Sequence, residues 1–359
     1  MLLSDICEII MGQSPSSDSY NVKGQGLPFF QGNADFGKLY PSVRLWCNCP
    51  IKKAEAGDLL VSVRAPIGAV NLANQKCCIG RGLAALRPYR DKCDAMYLYY
   101  LIKAGKNKLN WLGTGSTFKA ITRSSLLSFN VPDYCIAFQR KISGKLWSVD
   151  KLIHQRNEQL KLFDLLIQSR FVELFGNPVI NQKRFPVKQV GDVIDFIGGS
   201  QPPKNVFEYT PTEENIRLIQ IRDYRTDKYK TYIPRKLAKR FCTADDIMIG
   251  RYGPPIFQIL GGIEGSYNVA LMKAVPKMGN REFIRWFLKQ ECLLHYLEGM
   301  SKRTAGQDGI QMDKLKKYPF PYPPIELQNQ FANFAKQLDK SKYRGRIFLR
   351  LLEDASHML

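Results

Sequence analysis

Histidine is nearly missing from this chain: 359 residues hold only His154, His295 and His357. The first and last fall in long charged stretches with helical spacing, where an imidazole is usually a solvated surface group, and none has an evident catalytic partner. Long apolar runs are missing too, so no segment is suited to cross a bilayer as a helix. An export signal needs a basic start and an unbroken apolar core. Asp5 and Glu8 interrupt the N-terminus, and the chain is therefore expected to be cytoplasmic. The nine cysteines are odd in number and scattered, a pattern of reduced thiols rather than of a disulfide framework. Cys47, Cys49, Cys77 and Cys78 make a C-x-C and a C-C pair that would offer thiolates to zinc. Structural zinc sites favour C-x-x-C knuckles, and the other reading is that all four are ordinary strand and loop residues.

Acidic residues are the remaining deficit. Against 53 lysines and arginines stand 32 aspartates and glutamates, a formal net charge of +21. Solubility requires far less, and such an excess favours a polyanionic partner, with nucleic acid first and membrane-surface or ribosomal association as the other readings. The length exceeds what one compact core usually serves and suggests two domains or a repeated unit.

A repeat is present. LSDICEIIMGQSP at Leu3–Pro15 returns as VGDVIDFIGGSQPP at Val190–Pro203, pairing Asp5 with Asp192, Gly12 with Gly199 and Pro15 with Pro202. PFFQGNADFG answers RLIQIRDY, placing Gln31 against Gln220 and Asp35 against Asp223. AGDLLVSVRAPIG answers ADDIMIGRYGPPIF: each starts at an acidic turn, runs through a buried-strand pattern and ends in a Gly/Pro turn. Arg64 stands at the mouth of that turn in one half, Arg251 with Tyr252 in the other. Each half then carries an aromatic-rich amphipathic helix, Met96–Leu112 and Arg281–Leu297, whose apolar stripe is that of core packing. The GTGST segment that follows at Gly113–Thr117 lacks the spacing of a P-loop and offers at best amides and hydroxyls to a phosphate. The internal duplication is thus read over most of the chain.

Both halves end in a heptad pattern. Ile142, Leu146, Val149, Ile153, Arg156, Leu160, Phe163, Ile167, Arg170 and Leu174 step by four and three until Gly176, Asn177 and Pro178 end the helix. Leu327, Phe331, Phe334, Leu338, Ser341, Gly345, Phe348 and Leu352 repeat the pattern. Helices of roughly 38 and roughly 30 residues rise about 57 Å and about 45 Å. Neither buries its seam on one small module, so they pair with each other, antiparallel, or with another subunit.

The order module, heptad helix, module, heptad helix, with helix entries VPDYCIAFQRKI and FPYPPIELQNQF, resembles the specificity subunit of type I restriction-modification systems. Pro323, Pro324, Glu326 and Gln328, with the repeated GD-apolar-R strands, carry the resemblance; the first copy has Tyr134 and Cys135 where the family tends to have prolines. The resemblance implies an α/β (α+β) chain with target-recognition domains at 1–131 and 185–320. Helical spacers at 132–178 and 321–359 would form an antiparallel coiled coil. It implies no catalysis by this chain, which would choose a double-stranded DNA sequence for methyltransferase subunits using S-adenosylmethionine and motor-nuclease subunits using ATP and magnesium. In agreement, the chain has no F-x-G-x-G loop, no N-P-P-[FY] or D-P-P-[FY] tetrapeptide, no Walker A sequence and no nuclease signature ending in E-x-K.

Arginine can bond guanine twice, asparagine and glutamine adenine twice, while lysine and hydroxyls hold phosphates. On that chemistry the base-reading candidates are Gln31, Asn33, Arg44, Arg64 and Arg81 in the first module, and Gln220, Arg222, Arg251, Tyr252 and Asn268 in the second. Lys119, Lys302 and Arg303 are phosphate candidates. Two other classes stay open on sequence: a DNA-binding protein without partner subunits, and an enzyme built on a thiolate zinc site.

Overall fold

The stretch that opens the chain and returns near residue 190 is a one-turn helix running directly into a strand. The structure is a computed structural model describing residues 1–114, 119–252, 256–301 and 310–358. It divides into two units, Met1–Arg156 with Phe348–Leu359, and Asn157–Ile347.

In the first unit, Asp5 accepts a hydrogen bond from the Leu2 amide at 2.7 Å and caps helix α1 (Leu3–Ile6), whose Leu3 and Ile6 are buried. Strand β1 (Cys7–Met11) follows at the edge of an antiparallel sheet, beside β9 (Leu83–Pro88), β6 (Leu59–Ser62) and β7 (Val70–Leu72) in that order. A second sheet runs β2 (Tyr20–Asn21), β4 (Leu45–Cys47), β3 (Leu27–Phe30), β8 (Cys77–Ile79) and β5 (Lys53–Ala54), with β3 and β8 parallel. Successive strand residues point to opposite faces. Leu60 and Ala85 therefore join Phe30, Ile79 and Leu83 between the sheets, while Leu59, Val61 and Leu86 pack on helices α2 (Ala95–Ala104) and α3 (Lys106–Leu112) through Leu98, Ile102 and Leu109. Both faces of β6 are covered, which is why its sequence is apolar without alternation.

The single helix expected over Met96–Leu112 is two. Gly105 ends α2, and a Cβ there would lie 2.9 Å from the Phe129 ring, so any side chain at that point would have to displace the ring. Helix α4 (Arg123–Leu127), capped by the Thr122 hydroxyl, leads to the long helix α5 (Ile136–Phe175). Gln139 is 2% exposed at the start of α5. Its side-chain oxygen accepts from the Asp94 amide at 3.0 Å and its nitrogen donates to the Lys92 and Tyr134 carbonyls, tying the α5 entry to the cap of α2.

The second unit repeats this plan. Strand β10 (Val187–Gln189) pairs with β19 (Pro319–Pro321), and Asp192 caps α6 (Val190–Val193) through the Gln189 amide at 3.1 Å. One sheet has the order β11 (Ile194–Gly198), β18 (Leu271–Pro276), β15 (Ile247–Gly250), β16 (Gln258–Gly261). The other has β13 (Tyr232–Pro234), β12 (Asn215–Ile219), β17 (Gly265–Tyr267), β14 (Phe241–Cys242), again with one parallel pair, β12 and β17. The helix expected over Arg281–Leu297 is likewise two, α7 (Arg281–Leu288) and α8 (Glu291–Ser301), where Gln290 turns its side chain onto the Trp286 carbonyl at 3.0 Å. After α9 (Met312–Lys317) comes the second long helix, α10 (Ile325–Met358). The Gln139 arrangement recurs there, since Gln328 accepts from the Asn280 amide, the cap of α7, at 2.8 Å and donates to the Pro323 carbonyl at 2.8 Å.

Every echoed aspartate is a backbone cap. Asp35 and Asp223 accept from Gln31 and Gln220 at 2.7 and 2.6 Å; Asp58 and Asp246 accept from Glu55 and Thr243, both at 2.8 Å. The echoed glycines pass against backbone. A Cβ on Gly12 would sit 2.2 Å from the Gly80 carbonyl oxygen and one on Gly199 1.9 Å from that of Asn268, distances no side chain can occupy.

Within the second unit the two long helices pair antiparallel. Phe171 meets Phe331, Asp164 meets Lys342, and the Leu160 side chain lies against Gly345. Within the first, Arg156 lies over the Phe348 ring, 5.3 Å from its centroid. Both arginines that interrupt the apolar heptad are thereby explained, since Arg170 covers Phe334 in the same way at 5.9 Å. An arginine face stacked on an aromatic ring is favourable while its polar edge stays in water. The expected seam needs one correction on α10. Ser341 is exposed and its neighbour Lys342 is buried, while Phe348 is 40% exposed and Leu349 is 7% exposed.

Candidate nucleic-acid interface

Four backbone hydrogen bonds bring separate turns together in the first unit. The Gly80 amide bonds to Phe30, Gln13 to Ile79, Val63 to Gly82 and Ile121 to Val63, at 2.8 to 3.0 Å. They set the ends of β1, β3 and β6, the β8–β9 turn and the segment before α4 side by side. Gln31, just beyond β3, lies so close to Gly80 and Gly82 that a Cβ on Gly82 would meet the Gln31 carbonyl oxygen at 2.4 Å. Arg81 stands between those glycines, its amide held by the Ser14 hydroxyl at 3.2 Å. Arg64 bridges to Ala120, next to Lys119. Gln31, Arg64, Arg81 and Lys119 are thus gathered by their backbones, all exposed. Among the described residues none of the three cations is paired with a carboxylate. Such unpaired charge at a turn cluster is available to an anionic partner.

The remaining first-unit candidates differ. Asn33 is half-buried in the turn beside Gln31. Arg44 is committed to the buried Asp35, its Nε 2.9 Å from the carboxylate. The pair holds the turn that carries Gln31, so Arg44 acts on the cluster through Asp35.

The same weave recurs in the second unit, with Asn268 bonded to Ile219, Ser200 to Tyr267 and Arg251 to Ala270, at 2.9 to 3.2 Å. It fixes which residue answers Arg64, where the sequence offered Arg251 and Tyr252 together. Arg251 takes the place of Val63, so the residue equivalent to Arg64 is Tyr252. The guanidinium of Arg251 lies over the Tyr252 ring, 5.4 Å from its centroid, with Nη1 toward the Val269 carbonyl at 3.5 Å and a buried Nε that has no hydrogen-bond partner. Gln220 and Arg222 both donate to the Thr231 hydroxyl, at 3.1 and 2.9 Å, so Thr231 orients the pair, a role with no signal in the sequence. Asn268 is only 9% exposed and accepts from the Ala270 amide at 3.1 Å: it shapes the β17–β18 turn. Lys302, Arg303 and Gly115–Thr117 lie outside the described residues.

The cysteines do not gather as a zinc site requires. Cys77 and Cys78 are consecutive on β8 and face opposite ways, the first against Ala54 and Leu60, the second against Phe29 and Cys47. Burial pushes both thiols up to about 12, which disfavours the thiolate that a metal needs. No group of metal-ligating side chains occurs among the described residues, nor is any helix there long and apolar enough to cross a membrane.

The chain is 44% identical over 152 residues to a Methanocaldococcus jannaschii protein named as the MjaX type I restriction enzyme specificity subunit, covering 42% of this chain and 36% of that one. Over 246 residues it is 25% identical to the MjaIX specificity subunit of the same organism, covering 61% and 56%. The chain therefore matches less than two thirds of the length of either relative. Its fold is that of the type I restriction-modification S subunit from M. genitalium, with a TM-score of 0.64 at 16% identity over 100% of this chain and 93% of that one. The model of the type I restriction modification DNA specificity domain matches twice, at residues 1–162 and 182–344, the two halves that share sheet order, caps and glutamine clamps. The chain belongs to the type I restriction-modification DNA specificity family.

Proposed function

We propose that this protein is the non-catalytic, sequence-reading subunit of a type I restriction-modification complex in the cytoplasm. Its two target-recognition domains, 1–131 and 185–320, each read one half of an asymmetric bipartite site on double-stranded DNA. The helical spacers, 132–178 and 321–359, set the gap between the halves. Methyltransferase subunits, with S-adenosylmethionine, and motor-nuclease subunits, with ATP and magnesium, carry the chemistry, and the chain itself needs no cofactor. One observation carries this reading. The same woven turn cluster occurs twice in a chain of net charge +21, each time presenting different polar and cationic side chains. A shared frame with different side chains is what two unequal half-sites require.

Arg251→Ala should weaken binding by about 1–3 kcal/mol and relax specificity in one half-site only. Lys119→Ala should weaken binding to all sequences alike and flatten the salt dependence. Anisotropy titrations with duplexes altered one base pair at a time, at two salt concentrations, separate the two. If Arg251→Ala lowers affinity uniformly, that arginine holds phosphate and reads no base.

A further inference from the structure

Trp111 is 90% exposed, an unusual state for the largest apolar side chain. It is not on a loose segment. Helix α3 is anchored by Leu109, which is fully buried, and by the loop after Arg64 at both ends. At its start a Cβ on Gly68 would lie 3.3 Å from the Lys106 Cα. At its end a Cβ on Gly113 would lie 2.9 Å from Ile67 and 3.5 Å from Lys119. The indole is therefore carried on a fixed helix whose ends pack on the segment joining Arg64 to Gly68, next to Lys119.

The surroundings select the partner. Residues 95–132 contain Lys103, Lys106, Lys108, Lys119 and Arg123 and no aspartate or glutamate. Of these five cations only Lys103 is ion-paired among the described residues, to Asp150. An exposed indole among unpaired cations fits nucleic acid better than a protein surface, because cations hold the phosphates while the ring stacks on bases. The second unit has no tryptophan on α8, so the effect belongs to one unit only.

We infer that Trp111 is a stacking wedge of the first recognition domain, inserting at a base step of its half-site. The site is then read there by how easily the step unstacks as well as by its hydrogen bonds. This rests on the DNA-reading function proposed above.

The test uses the chain with its co-purified methyltransferase subunits, a duplex carrying the sequence that the complex methylates, and a scrambled duplex. Affinity is read by anisotropy, and unstacking by permanganate reactivity of thymines along the duplex. Trp111→Ala should lose about tenfold to a hundredfold on the target. A reactive step present with the wild-type chain, in one half-site, should vanish, and Trp111→Phe should restore much of both. Unchanged target affinity and reactivity in Trp111→Ala overturn the inference while leaving the proposed function intact, because the wild-type chain still prefers its target. Loss of methyltransferase subunits on purification, with DNA contacts unaltered, makes Trp111 a protein contact and overturns it as well. A wild-type complex that binds both duplexes alike refutes the function and the inference together.

Discussion

Phe331→Ala is expected to destabilise the second unit by about 3–5 kcal/mol, the cost of emptying a fully packed aromatic site. Phe331 is fully buried, with its ring centroid 5.4 Å from Phe171, 5.6 Å from Phe175 and 6.3 Å from Trp286. Those four rings join α10, α5 and α7, so the cavity opens where three elements meet. Phe348→Ala is the matched control. It follows the same heptad in sequence but is 40% exposed, and it loses little more than the Arg156 face contact, so it should cost about 1 kcal/mol or less. Urea unfolding followed through the 19F resonances of 5-fluorotryptophan reads each variant in its own unit, at Trp286 for Phe331→Ala in the second and at Trp147 for Phe348→Ala in the first. With a slope of about 1–3 kcal/mol per molar, Phe331→Ala should lower the midpoint by about 1 M or more. Similar shifts for the two variants would mean that the helix seam runs where the strict heptad puts it.

The contrast shows where sequence reading stops. A straight α-helix drifts about 20° per heptad against a seven-residue repeat. A seam read as a strict heptad from Leu327 is right through Leu338 and one residue off by Lys342. Lys342 was illegible for a second reason: apolar periodicity cannot mark a buried lysine, which is tolerable there only because Asp164 and Asp339 neutralise it. Caps and close-packed glycines were legible as repeated letters, although letters alone do not say that Asp35 holds the Gln31 amide or that Gly199 passes under Asn268. Gln328 stood out in its helix entry and Gln139 holds the same place in the first, yet their partners, Asn280 and Asp94, are 48 and 45 residues away. The turn cluster was the least legible part. Its residues come from five segments, and one position of register decides whether Arg251 or Tyr252 answers Arg64. Trp111 was absorbed into an aromatic stripe that is otherwise core, with Tyr97, Tyr99 and Tyr100 buried.

Lengthening both long helices by seven residues should change the target outright. Helix α5 runs 40 residues and α10 runs 34. An insertion after Gln155 in α5 alone would lengthen one spacer and leave the other as it is. A matching insertion after Leu349 in α10 preserves the heptad phase on both sides. Seven residues add about 10 Å of helix, equal to about three base pairs of DNA. Methylation at the original site should disappear, and a site with the same two half-sequences, separated by about three more unread base pairs, should replace it. If the original gap persists, the helices do not set it. If either half-sequence changes, the recognition domains are not independent of the spacers.

Mapping methylated bases across the genome of a cell that expresses this chain with its partner subunits reads the target directly. The two unequal turn clusters predict one motif made of two different half-sequences, their centres about one DNA turn, about 10 base pairs, apart, with unread positions between them. A single continuous motif, a palindrome, or methylation without sequence preference would contradict the assignment of one half-site to each recognition domain.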